Sequence, residues 1–362
     1  MNPAVEAIAD RIREAHDSGR PLRIRGGGTK DFYGEAPTGD LLDARTLAGS
    51  VDHEPTELVV TAPAGLSLAD LEDLLDRHGQ SLAFEPPRHA PGATVGGMVA
   101  SGLSGPSRAA AGSVRDHVLG VTMLSGTGEL LHFGGRVIKN VAGYDVSRLV
   151  AGSMGILGVI VEVSLKVLPK AEAEATLRFD LAAAPALAQL HAWGAKPLPL
   201  DASAWWNDNL VVRLRGSSAA VEEATRALGG EAIAPDAATP FWQRLRDHED
   251  PFFAAAESSV ARGGATLWRL SLPQTAPPLG LAGDELIEWH GAQRWLLTPA
   301  SATRVREAAA RAGGHATAFR SADKSAGAFT VLSKSLAQIH ERLKRSFDPK
   351  GILNPGRLYP GL

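Results

Sequence analysis

The stretch Tyr144–Val163, YDVSRLVAGSMGILGVIVEV, changes character in its middle. A short helix-like piece gives way to Gly152, Gly155 and Gly158. An apolar run follows, in which Val159, Val161, Val163, Leu165 and Val167 share one face with Glu162, Ser164 and Lys166 opposite. That period of two predicts a strand with one apolar face. Glycine just before so regular a strand either solves a turn or leaves bare backbone against which a flat or anionic ligand can lie.

Two more glycine clusters bear on the choice. Leu22–Gly26, LRIRG, reads as a strand running into Gly26-Gly27-Gly28-Thr29-Lys30. Consecutive N–H groups in such a turn can converge on an anion. The usual nucleotide fingerprints fail: there is no G-x-x-x-x-G-K-[ST], and G-x-G-x-x-G breaks at Asp31. On the triplet alone, a plain tight turn and a phosphate site stand equal. The second cluster lies in Pro86–Asp116, which is mostly Gly, Ala, Ser and Pro and shows no sustained period. So long an irregular segment in a compact domain is functional or wrapped around something. Few charges, with Val95, Met98, Val99 and Leu103, argue against a solvated linker. If all three clusters face one ligand, an elongated dinucleotide suits them.

Length and composition bound the rest. At 362 residues, two or three domains are expected. Hydrophobic content of 44% with 21% charge is that of a folded chain. A net charge of −3 gives no global field for nucleic acid or anionic lipid. With no cysteine, disulfides, cysteine-ligated iron–sulfur clusters and cysteinyl flavin attachment are excluded on this chain. Near the N-terminus, Val5, Ile8, Ile12 and Ala15 repeat at helical spacing, which predicts an amphipathic helix rather than a signal peptide. No apolar run reaches the ~18–20 residues of a transmembrane helix. A cytoplasmic location is the expectation.

The first half alternates strands and helices. TELVVTAPAG is a strand, and a helix capped by Ser67 follows, with Leu68, Leu71, Leu74 and Leu75 on one face and Gly79 at its end. VLGVTMLSGTGELLHFGG reads as a hairpin turning at Gly126-Thr127-Gly128. After residue 170 glycine thins and all seven tryptophans appear. Strands (LRFDL, NLVVRLRG, TLWRLSL, DELIEWHG, AQRWLLT) there alternate with helices, which predicts a separate α+β domain with the tryptophans in its core. A last helix places Leu336, Ile339, Leu343 and Phe347 on one face and ERLKR, residues 341–345, on an exposed one.

RGGGTK, ATVGGMVASGLSG, GSVRDHVLGV, NVAGYDVSRLVAGSMGILGVIVEV and the terminal GILNPGRL together resemble the FAD-binding fold of the vanillyl-alcohol oxidase and p-cresol methylhydroxylase superfamily. Within it, FEPPRHAPGATVGGMVASGLSGPSR and KNVAGYDVSRLVAGS resemble the smaller flavin-binding subunits of bacterial glycolate oxidases. The resemblance implies an α+β fold: a two-part FAD-binding domain over residues 1–170, a smaller α+β cap domain over 171–330, and a helix and tail, 331–362, returning to the first. It places the FAD diphosphate on Gly26, Gly27, Gly28, Thr29 and Lys30. Thr94, Gly96, Gly97, Ser101, Gly102 and Gly105 would lie along the diphosphate and flavin. Gly158 and Ile160 would contact the adenine or ribitol side, Gly152, Ser153 and Gly155 would shape that loop, and Asn354 would sit near the flavin ring.

The implied activity is oxidation of glycolate, or a similar 2-hydroxy acid, to glyoxylate, or relay of its electrons. The implied partners are a larger flavoprotein subunit and an iron–sulfur subunit, through which the chain would reach the membrane periphery. A non-catalytic subunit that keeps the flavin fold, or a stand-alone FAD-dependent oxidase on another substrate, is the alternative. Covalent members often carry a histidine in the first loop, where Thr29-Lys30 stands here, so non-covalent FAD is expected. The HxGDGNxH-like cap motif is absent, and His191, His248, His290, His315 and His340 are isolated, as surface or capping histidines are. Hydride removal would need a base and a carboxylate-binding cation. Arg88, His89, Arg115 and Lys139 could serve, although Arg115 and Asp116 read equally as a structural ion pair.

Overall fold

The computed structural model describes residues 2–135 and 145–362. They form two compact units. The first comprises the chain up to Leu103, the described residues of Ser113–Pro169, and Val331–Leu362. The second comprises Ser104–Gly112 and Lys170–Thr330.

The first unit is built on a five-stranded antiparallel sheet in the order Asp52–Glu54, Val59–Pro63, Val159–Lys166, Val118–Leu124, Leu130–Gly134. Val159–Lys166 occupies its centre, and its alternation is less clean than the sequence predicts. Ile160 and Ser164 are buried along with Val163 and Leu165. Both faces of the strand are covered, and Ser164 Oγ shares a 2.8 Å hydrogen bond with Thr61 Oγ1 on the neighbouring strand.

Ser67 caps the helix Leu68–Arg77, which buries Leu68, Leu71 and Leu75 against Val60, Phe84, Met98 and Val163. The N-terminal helix Pro3–Ser18 buries Val5, Ile8, Ile12 and Ala15 in a second cluster with Leu22, Leu124, Ile352 and Leu353. There the strand Leu22–Arg25 pairs in parallel with Asp40–Asp43, and the returning tail bridges to it through Leu353.

Pro86–Asp116 is less irregular than its composition suggests. It contains the short helices Val95–Ser101, Arg108–Ala111 and Val114–His117. Small residues hide the helical period because close packing, not an apolar stripe, holds the first of them. A Cβ on Gly96 would come within 3.1 Å of the carbonyl oxygen of Ala64.

The second unit carries an eight-stranded antiparallel sheet in the order Glu231–Ile233, Ala173–Asp180, Asn209–Gly216, Leu200–Trp206, Asp284–Glu288, Gln293–Thr298, Thr266–Ser271, His315–Arg320. Trp193, Trp242, Trp268, Trp289 and Trp295 are buried in it, while Trp205 and Trp206 are half-buried. The segment Ser104–Gly112 belongs to this unit, whereas the residues on either side of it in sequence belong to the first. Trp289 Nε1 donates to the carbonyl of Gly105 at 2.9 Å, and Arg108 lies 4.7 Å from the Trp289 ring centroid. No helix among the described residues is long and apolar enough to cross a membrane.

Candidate functional site: a glycine-lined cationic cleft

A cleft of about 880 Å³, counting its open mouth, lies in the first unit. Its floor starts where Leu22–Arg25 ends in Gly26–Lys30. A Cβ on Gly27 would overlap the carbonyl oxygen of Gly92, so only glycine lets the loop press against that backbone. Gly28 then takes a φ of +73°, which reverses the chain. Arg25 Nε donates to Asp31 Oδ2 at 2.7 Å and closes the loop at its base. From the returning tail, the buried Arg357 donates to the carbonyls of Lys30, Asp31 and Glu35.

With those carbonyls engaged, the N–H groups of Gly27, Gly28 and Thr29 find no partner among the described residues. Unsatisfied amides in a concave, glycine-lined turn form an anion site. The surrounding charge agrees. Among the described residues, Arg23, Arg25, Lys30 and Arg357 line the cleft against one carboxylate, Asp31, although the chain as a whole is net negative. Arg23 Nε is buried without a hydrogen-bond partner. Such a donor is costly unless a ligand accepts from it.

The helix Val95–Ser101 forms a second wall through Thr94, Gly96, Gly97, Ala100 and Ser101. Its first amides are already used. Val95 N–H donates to Leu66 O, Gly96 N–H to Ala64 O at 2.8 Å, and Gly97 N–H to Thr94 Oγ1 at 3.2 Å. This wall therefore offers bare surface for a flat group rather than donors for an anion. The third wall is Met154, Gly155, Gly158, Val159 and Ile160, with Asn354 between it and the first strand. Asn354 Oδ1 accepts the N–H of Ile24 at 2.7 Å, and Nδ2 donates to the carbonyl of Met154 at 2.7 Å.

The expected residues Gly26 to Lys30, Thr94, Gly96, Gly97, Ser101, Gly155, Gly158, Ile160 and Asn354 thus meet in one cleft. Gly102, Gly105, Gly152 and Ser153 lie outside its lining. Gly102 and Gly152 instead let two loops touch, since a Cβ on Gly102 would stand 2.8 Å from the Cα of Gly152. Gly105 belongs to the second unit. Ser153 is buried behind the third wall with its hydroxyl unpartnered. The sequence reading missed Arg23 and Arg357. Arg23 sits in a strand whose partners the sequence does not name, and Arg357 stands in GILNPGRL, three residues beyond Asn354.

Of the suggested catalytic groups, Arg88, His89 and Arg115 are not in the cleft lining. Arg88 is held by a two-donor ion pair with Glu72, at 2.6 Å from Nε. The His89 ring packs edge-on against Phe32. Arg115 is exposed, and Asp116 accepts from the N–H and hydroxyl of Ser113 as a helix capping box, so the expected Arg115–Asp116 ion pair does not form. Lys139 lies outside the described residues. Two of the isolated histidines have structural roles: His248 ends the helix Pro235–Asp247 and stacks 3.7 Å from Phe253, and His290 hydrogen-bonds Ser203 Oγ, with burial pushing its pKa down to about 4. Among the described residues no cluster of three or more His, Cys, Asp or Glu could hold a metal ion.

Fold and cleft define an FAD-binding flavoprotein. The FAD binding domain family matches residues 4–134. Alkyldihydroxyacetonephosphate synthase shares the fold, with a TM-score of 0.63 at 15% identity over 97% of this chain and 75% of that one. The glycolate oxidase subunit GlcE of Escherichia coli is 43% identical over 357 residues, covering 99% of this chain and 98% of the relative. A D-lactate dehydrogenase of Archaeoglobus fulgidus is 32% identical over 46% of this chain and 37% of its own length. The glycolate oxidase subunit GlcD of Bacillus subtilis is 31% identical over 43% of this chain and 34% of its own length.

The chain belongs to the GlcE family of glycolate oxidase subunits. FAD is its cofactor. The unpartnered amides of Gly27 to Thr29, the orphaned Arg23 Nε and the bare glycine wall fit a dinucleotide that is anionic in its middle and flat at its ends.

Proposed function

We propose that this chain is the flavin-binding subunit of a glycolate oxidase complex and takes two electrons from glycolate or a similar 2-hydroxy acid. The unpartnered amides of Gly27, Gly28 and Thr29 in a cleft lined by four cations carry the reading. They would hold the diphosphate. Thr94, Gly96, Gly97 and Ser101 would lie along the cofactor from one side, Gly155, Gly158 and Ile160 from the other, and Asn354 would close the gap. FAD supplies the two-electron acceptor when bound; the chain orients it and shapes its surroundings. Among the described residues neither histidine nor cysteine lines the cleft, which supports non-covalent attachment. The first unit would then be the FAD-binding domain and the second the cap domain, which takes Ser104–Gly112 in addition to the expected 171–330.

A second reading, relay of electrons from a larger flavoprotein subunit toward an iron–sulfur subunit, is favoured by one observation. Among the described residues the one carboxylate lining the cleft, Asp31, is held by Arg25 and is a poor base for the substrate α-carbon. Anaerobic addition of glycolate to the FAD-loaded chain separates the two. Bleaching of the flavin absorbance by the chain alone supports direct oxidation. Bleaching only when the partner subunits are present supports relay, and none under either condition overturns both. Release of free FAD on acid precipitation tests the non-covalent attachment.

A further inference from the structure

The helix Lys334–Phe347 is strongly amphipathic, yet the residue it buries is charged. Leu336 and Ile339 are 48% and 57% exposed, whereas Lys344, in the supposedly exposed ERLKR, is 4% exposed. Its ammonium has three acceptors within reach: the carbonyl of Ile156 at 2.7 Å, the carbonyl of Leu353 at 2.7 Å, and Asp348 Oδ2 at 2.8 Å. Three donors meet three acceptors, so Nζ is fully used. Asp348, wholly buried, also accepts the N–H groups of Ile352 and Leu353. A buried ion pair of this kind is weak evidence of stabilisation, since apolar residues of like volume commonly do as well. Its geometry suggests another use.

The two carbonyls belong to the two segments that meet at Asn354. Ile156 lies in the Met154–Gly158 turn of the third wall, and Leu353 immediately precedes Asn354. Asn354 adopts a φ of +42°, and its side chain ties Ile24 of the first strand to Met154. We propose that Lys344 is a positioning residue for the cofactor: by drawing the carbonyls of Ile156 and Leu353 onto one ammonium, it fixes Asn354 and the Met154–Gly158 turn against bound FAD. This rests on the cleft being the FAD site. Lys344 acts from behind the wall and does not itself line the cleft.

The test is a double-mutant cycle on FAD affinity, with Lys344→Met, Asn354→Ala and the combination, together with the visible circular dichroism of the bound flavin. Lys344→Met is expected to weaken FAD binding about tenfold or more and to change the flavin dichroism. In the Asn354→Ala background it should add less than it does alone, because Asn354 and its tie to the carbonyl of Met154 are gone. A Lys344→Met chain that melts earlier but keeps its FAD affinity and flavin spectrum overturns the proposal, as do strictly additive losses. If Lys344→Met does not fold, the charge-neutral pair Lys344→Gln with Asp348→Asn is read in the same way. Failure of the unaltered chain to bind FAD would instead count against the cleft as the cofactor site.

Discussion

The glycine loop Gly26–Lys30 and the interior around Asp201 treat their polar groups in opposite ways. In the second unit Arg213, 2% exposed, donates from Nε to Asp201 at 2.6 Å and from Nη2 to Ser107 Oγ at 2.7 Å. Ser107 in turn donates to Asp201 at 2.9 Å, and the guanidinium stacks 4.8 Å from the Trp242 ring. These groups answer one another within the unit, and the cluster pins Ser104–Gly112 to the strands Leu200–Trp206 and Asn209–Gly216. The glycine loop does the reverse: Arg357 holds its end through the carbonyls of Lys30 and Asp31, while the amides of Gly27, Gly28 and Thr29 stay open to the cleft. A closed polar network holds a fold, and an open one in a concavity waits for a ligand.

Breaking the closed network should have the largest effect on stability. Arg213→Met takes the 2.6 Å partner from Asp201 and leaves it Ser107 and, at 3.6 Å, Arg215; it should cost ~3 kcal/mol in a urea titration, with the FAD affinity of the folded fraction unchanged. Loss of FAD binding by folded Arg213→Met would erase the contrast between the regions.

Gly27→Ala should act the other way. The added methyl displaces the loop from Gly92 and withdraws two or three amides. At ~1.5–3 kcal/mol for each hydrogen bond to a charged group, FAD binding should weaken by about 100-fold or more, measured by titrating apoprotein with FAD.

A pH experiment sharpens the comparison within the second unit. Asp250 caps the helix Pro251–Ala261, and burial pushes its carboxyl up to about 6 against the N–H bonds from Phe253 and Phe252. Because the folded chain holds this proton more tightly than the unfolded one, the contribution is fully present below 3.8 and is lost as pH rises through about 6. His290 runs oppositely over much of the same range: its stability is present above 6.5 and lost as pH falls toward about 4. Asp250→Asn keeps the cap and removes the buried charge. It should gain ~1–3 kcal/mol over the parent above pH 7 and little near pH 4, as thermal melts would show. A gain independent of pH would reject the assignment.

The smallest effect is expected at Thr94. Removing its cap by Thr94→Ala should cost ~1 kcal/mol in thermal unfolding, with Thr94→Ser restoring most of it.

Where a period or a cap exists, the sequence shows the fold. Ser67 with Leu68, Leu71 and Leu75 marks one helix, and NLVVRLRG is a strand over its whole length. The helix Val95–Ser101 escapes because contacts between small residues carry no apolar stripe, and the burial of Lys344 escapes because its acceptors are carbonyls from segments remote in the chain. The same divide runs through the site. Gly27 and Gly28 stand out as a triplet, and Asn354 comes with its terminal motif. Arg23 and the loop clamp Arg357 become visible only once the tail is seen to pair with the first strand. The glycines of the opening stretch divide too: Gly155 and Gly158 line the cleft, while Gly152 serves backbone contact with Gly102.

The central claim is that the open amides of the glycine loop receive the cofactor diphosphate. A crystal structure of the chain with FAD tests it most directly. The account predicts diphosphate oxygens within hydrogen-bond distance of the N–H groups of Gly27, Gly28 and Thr29. A diphosphate bound elsewhere, with those amides facing solvent, would contradict it.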